Sequence, residues 1–118
     1  MATVTVHDDV LSLRLTRAEK ILGLLRDVDV PISAVTSVDV VDPARTAVRG
    51  VRAPGYALPG HRLVGTWRGS SRLLVAVRPR RPALRVVLAG QRHDELVVEV
   101  GDPHAVAGAI SRAVADSA

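Results

Sequence analysis

The 118-residue sequence contains no cysteine and no phenylalanine, and Trp67 and Tyr56 are its only aromatics. Without cysteine there are no disulfides, no thiolate nucleophile and no Cys-based metal site. A near absence of aromatics removes the stacking platforms that single-stranded nucleic acid binders use. Lys20 is the single lysine beside fifteen arginines. No apolar run approaches the roughly 18 residues of a spanning helix. Met1 to Asp9 carries acids and lacks the basic start of a signal peptide. The expectation is a cytoplasmic chain.

A further scarcity is local. From Pro43 to His93 there is no Asp or Glu. That stretch holds eleven arginines: 45, 49, 52, 62, 68, 72, 78, 80, 81, 85 and 92. Residues 1–42 carry four bases and seven acids, and residues 94–118 one base and five acids. A basic middle therefore lies between acidic ends. Two readings stand level. The basic strands pair with the acidic ones across a sheet, or the arginines form a basic face for an anionic partner.

What the sequence does have is aliphatic alternation. Hydrophobic residues make up 47% and charged residues 24%, enough to fold. Valine is abundant and suits a pleated surface. Period-two segments run over Thr3–Val6, Val10–Leu15, Arg26–Val30, Val35–Val41, Ala83–Leu88 and Glu95–Val100, and the apolar run Leu73–Val77 reads as a further strand. Thr16 and Glu19 have capping-box spacing, which predicts one or two helical turns over 17–22, with a continued strand as the alternative. Asp102 and Pro103 open an amphipathic helix over about 103–115, with Val106, Ile110, Ala113 and Val114 as its apolar stripe. Residues 44–72, punctuated by Gly50, Pro54, Gly55, Pro59, Gly60, Gly65 and Gly69, read as a long loop. Inside it Gly65–Gly69 reads as a short strand, and Trp67 as a plug for the core or alternatively as a ligand contact. The expected fold is mainly β: one domain over 1–118, about seven strands in meander order, an antiparallel β-roll or barrel capped by the C-terminal helix.

Two stretches carry a resemblance. Val30-Pro-Ile-Ser-Ala-Val35 leading into Ser37-Val-Asp-Val-Val41, and Glu95–Val100 followed by Asp102-Pro103-His-Ala-Val106, resemble the bacterial pleckstrin-homology-like (PH-like) domains. The chain also resembles small uncharacterised bacterial proteins that share Val48-Arg-Gly-Val-Arg-Ala-Pro-Gly55 and the following Pro59-Gly60. The first resemblance implies a fold and neither implies an activity. Phosphoinositide-binding members of the wider class use lysines and arginines in the first hairpin loop. Here that loop is His7-Asp8-Asp9, which is acidic, so familiar headgroup binding is not expected.

No phosphate-cradling loop, dinucleotide fingerprint or nucleophile elbow is present. His7, His61, His93 and His104 form no ligand pair, and each reads as a surface histidine. An enzyme would have to draw on Tyr56, His61, Arg62 or Ser70, so no catalytic residue, metal or cofactor is assigned. The expectation is a non-catalytic module that binds a protein or anionic partner through Arg45, Arg49, Arg52, Arg62, Trp67 and Arg68. A homodimer through a strand edge is the second expectation, and peripheral contact with anionic membrane the third. With no recognition helix, sequence-specific nucleic acid reading is not expected.

Overall fold

The computed structural model describes residues 2–58 and 62–117, with backbone alone for 52–58. Thr3–His7 (β1) and Val10–Arg14 (β2) form a hairpin. Its two turn residues, Asp8 and Asp9, have φ of 51° and 62°, the left-handed pair that a tight twisted hairpin demands and Asp tolerates. Leu11 and Leu13 alternate inward and are fully buried.

Thr16 then starts a helix, Arg17–Gly23 (α1). Its hydroxyl accepts from the Glu19 amide at 3.2 Å, and the Thr16 amide donates to Glu19 Oε1 at 2.9 Å. Both members of the capping box are in place. Leu24 ends the helix in the left-handed region, its amide donating back to the Lys20 carbonyl. Val28–Pro31 (β3) returns along β2 and completes a three-stranded sheet in the order β1-β2-β3.

A 3-10 turn, Ile32–Ala34, leads to Val35–Val41 (β4), and a second, Ala44–Ala47, follows it. Val51–Leu58 (β5), Arg62–Arg68 (β6), Arg72–Val77 (β7), Ala83–Leu88 (β8) and Glu95–Val98 (β9) complete a six-stranded sheet. Pro103–Ser117 (α2) closes the chain. The Asp102 carboxylate caps it, accepting from the Ala105 amide at 3.2 Å.

The mainly β architecture with a C-terminal helix is as expected, and three details of the expectation are corrected. Among the described residues there are nine strands, and they do not run as a meander. The order of the larger sheet is β4-β8-β9-β7-β6-β5, with β9 antiparallel to β8 and parallel to β7. The physical reason lies in β9, where all four residues are buried. A short strand covered on both faces belongs at the middle of a sheet.

The segment 44–72 is not a loop. Most of it is the β5–β6 hairpin, extended by β6–β7 pairing. Pro54 and Gly55 fall in β5 at the sheet margin, whereas Gly65 falls in β6, paired on both sides. β5 is an edge strand, and its register shifts between Arg52 and Gly55, where Pro54 lies. An edge or bulge is where a missing N–H is tolerated.

The strands form two hydrogen-bonded sheets with apolar material on both faces of the larger one. On one face, Val64, Leu74, Leu84, Val86, Leu96 and Val98 pack against Leu11, Leu13 and Val30 of the small sheet and Ile110 of α2. On the other, Trp67, Leu73, Val75, Val77 and Val97 lie beneath Ala44 and Ala47. No helix among the described residues is long and apolar enough to cross a membrane.

Candidate anion-binding face

The fold disposes of the basic segment in two ways. Four of its arginines take an acid from the flanking acidic segments. Arg49 pairs with Glu95, Arg62 with Glu19 at 3.7 Å, Arg78 with Glu99, and Arg85 with Asp39, whose Oδ1 accepts from Nε at 2.9 Å. Three of these acids, Glu19, Glu95 and Glu99, are at most 7% exposed. A buried carboxylate requires a charged or hydrogen-bonding partner. Burial pushes the Glu99 carboxyl up, but hydrogen bonds from the Arg78 side chain and amide, with the charges of Arg78 and Arg81, hold it below the ordinary range. Here the charge pattern is structural.

The remaining described arginines of the segment have no acid within ion-pair distance, and they divide between the two ends of β7. At one end the turn after β7 receives the 3-10 segment. The Ala44 amide donates to the Arg81 carbonyl and the Arg45 amide to the Pro79 carbonyl. Arg45, Arg80 and Arg81 gather there, exposed. At the other end, Arg68 and Arg72 face each other across the β6–β7 hairpin as direct register partners. Like charges directly opposite each other destabilise a sheet. Arg72 Nη1 reaches the Arg92 carbonyl at 3.5 Å, bringing the turn after β8 alongside. Arg68, Ser70, Ser71, Arg72, Gln91 and Arg92 line a depression of about 330 Å³. The one acid on its rim, Asp94, is engaged, accepting from the Arg72 amide at 2.7 Å.

A second cleft of about 250 Å³ adjoins this one and shares Gln91 and Arg92 with it. Leu25, Val28, Val30 and Leu88 give it apolar walls, and Arg26, Arg92 and His93 give it a cationic rim. Its two acids are neutralised internally. Asp27 accepts from the Leu15 amide at 2.8 Å and pairs with Lys20 at 3.1 Å, and Asp29 pairs with Arg14 at 2.9 Å. Those contacts hold both carboxyls below their usual range, Asp27 mainly through the Leu15 amide and Asp29 through Ser12 and Arg14. Burial pushes the His93 imidazole down, and Arg92 and Arg72 push it further against a smaller opposing pull from Asp94. Among the described residues no group of three or more His, Asp or Glu converges to hold a metal.

The six candidate binding residues thus separate. Arg49 and Arg62 belong to ion pairs, and Trp67 is 6% exposed in the second core layer. Arg45 and Arg68 are exposed at opposite ends of β7, roughly 20 Å apart at about 3.3 Å per residue. The side chains of Arg52 and Tyr56, and Pro59, Gly60 and His61, lie outside the described residues. Sequence reasoning missed Arg26, Arg72, Arg92 and His93 as members of one face. One signal for it is local: Arg68 and Arg72 flank the short Gly-Ser-Ser turn, so hairpin register sets them opposite.

Comparison with protein-family models, with curated proteins and with solved structures finds no match.

Proposed function

We propose that this chain is a non-catalytic binding module of PH-like architecture that receives an anionic partner on the face formed by Arg68, Arg72 and Arg92. The observation that carries this is the opposed pair Arg68 and Arg72, placed in register with no acid between them. Four other arginines of the segment, Arg49, Arg62, Arg78 and Arg85, are supplied with an acid, and the unpaired Arg45, Arg80 and Arg81 do not face one another as register partners. A hairpin that keeps two facing guanidiniums gains an anion site at some cost to its own stability. The C-terminal helix packed on the apolar side of the sheets supports the PH-like reading. The parallel β7–β9 pair is foreign to an antiparallel PH-like roll. The β1–β2 turn, with Asp8 and Asp9, is not the binding loop under this proposal. A cytoplasmic location agrees with this reading.

Inorganic phosphate titrated into isotope-labelled protein tests it. Saturable amide shifts are expected at Ser70, Ser71, Arg72 and Arg92. Arg68→Thr abolishes them while stabilising the hairpin by about 0.2–1 kcal/mol. Shifts spread evenly over Arg45, Arg80 and Arg81 as well, or loss of stability in Arg68→Thr, would refute the proposal.

A homodimer is the second reading. Ile21 (66% exposed), Leu24 (72%) and Val51 (71%) are large apolar side chains in solvent, and β5 is an outermost strand. A monomeric mass at high concentration would remove it.

A further inference from the structure

We propose that the anionic partner is an extended acidic peptide that adds as a strand to the free edge of β3. The inference rests on the anion-binding reading above and specifies the form of what binds. β3 pairs with β2 on one side, and no described strand pairs with its other side. Edge backbone groups without partners are a template for another strand. β3 is four residues long and ends at Pro31, which protects it against indiscriminate pairing.

The space beside that edge sets what it accepts. The cleft of about 250 Å³ lies between β3 and the Leu88–His93 segment that joins β8 to β9. That volume falls below the roughly 300–1,000 Å³ of sites that enclose a whole small molecule. It suits one or two side chains of a ligand whose main chain stays outside. A strand presents alternate side chains to opposite faces, about 6.6–7 Å between those on the same side. Apolar side chains of the incoming strand would enter between Leu25, Val30 and Leu88, and acidic ones would meet Arg26 and Arg92. Because Asp27 and Asp29 are held by Lys20 and Arg14, they leave Arg26 and Arg92 as the uncompensated charges of the rim. A nucleic acid or a lipid headgroup has no use for a row of unpaired peptide groups, whereas a peptide strand does.

The test uses two fluorescent octapeptides, one alternating glutamate with valine and one alternating glutamate with glycine. They carry the same charge and differ in strand propensity and apolar content. The Glu-Val peptide is expected to bind at least tenfold tighter than the Glu-Gly peptide and to slow amide exchange within residues 28–30 at least tenfold. Arg26→Glu and Arg92→Glu, both at exposed positions, are each expected to weaken it about tenfold. If both peptides bind equally, or binding leaves exchange at 28–30 unchanged while residues 68–72 still respond, strand addition is overturned and the anion-binding face stands. If neither peptide nor phosphate binds, both fall. If phosphatidylglycerol vesicles or an oligonucleotide bind through Arg92 and the Glu-Val peptide does not, the peptide proposal is overturned in favour of that ligand.

Discussion

Substitution of Glu99 gives the sharpest test of the idea that buried acids fix the basic segment in place. Glu99 is 7% exposed, and its carboxylate accepts from the Arg78 amide at 3.0 Å and from Arg78 Nε at 3.0 and 3.1 Å. Arg78 is 48% exposed at its side chain, so on losing its partner it rehydrates. Glu99→Gln keeps one acceptor for the Arg78 amide and exchanges charged hydrogen bonds, each about 1.5–3 kcal/mol, for neutral ones of about 0.5–1.5 kcal/mol. The expected loss is about 1–2 kcal/mol. Glu99→Ala removes every acceptor and is expected to cost about 2–3 kcal/mol, less than the 3–5 kcal/mol of a fully buried broken pair. At this chain length 1 kcal/mol corresponds to about 3–6 °C in Tm. Urea denaturation of both variants, of Arg78→Gln and of the double variant Arg78→Gln/Glu99→Gln measures the coupling, expected at about 1 kcal/mol. Because Arg78 holds the Glu99 carboxyl below its ordinary value of 4.5, the pair's contribution is fully present above that value. It is lost as pH falls through the folded value. The deficit of Glu99→Gln should therefore shrink in acid. A loss under about 0.3 kcal/mol at neutral pH, or zero coupling, would refute a structural role for this pair.

Two further predictions concern backbone and titration. Gly50 has φ of +99°, and a Cβ there would lie 2.6 Å from the Arg68 carbonyl oxygen, so Gly50→Ala is expected to cost about 2 kcal/mol or more in urea denaturation. A cost below about 0.5 kcal/mol would disprove that close approach. His93, depressed by burial and then by Arg92 and Arg72, should titrate below 6.5 by NMR, and Arg92→Gln should raise it. Its contribution to stability is present above 6.5 and lost as pH falls through the folded value, and an Arg92→Gln spectrum with an unmoved His93 would contradict the assignment.

Local chemistry was legible in the sequence where neighbours decide the outcome. Thr16 and Glu19, three residues apart, specify the start of α1, and Asp102 with Pro103 specifies the start of α2. Alternation in Leu11, Leu13, Leu84, Val86 and Leu88 identified inward faces correctly, because period two is a property of the strand itself. The place of β9 was not legible, since strand order depends on contacts distant in sequence. Glu95 and Glu99 made that segment look half exposed, yet both are buried against arginines 46 and 21 residues away. The β5–β6 hairpin was hidden for a different reason. Gly and Pro lower strand propensity locally, and Pro54 is acceptable because β5 lies at the edge of the sheet. The basic face was half legible: charge counting isolated the segment, but which arginines are neutralised depends on the register and the fold.

The late arrival of β9 has a consequence for how the chain reaches its native state. β7 and β8 are consecutive, joined by residues 78–82, and both are apolar. Nothing local prevents them from closing on each other as an ordinary hairpin, which forms in about 1–10 µs. In the native sheet they never touch as neighbours, because β9 lies between them. A β7–β8 hairpin would therefore compete with the insertion of residues 95–98 between the two strands. Folding of this small chain should be slow for its length, limited by that insertion and governed by the non-local β7–β9 pairing.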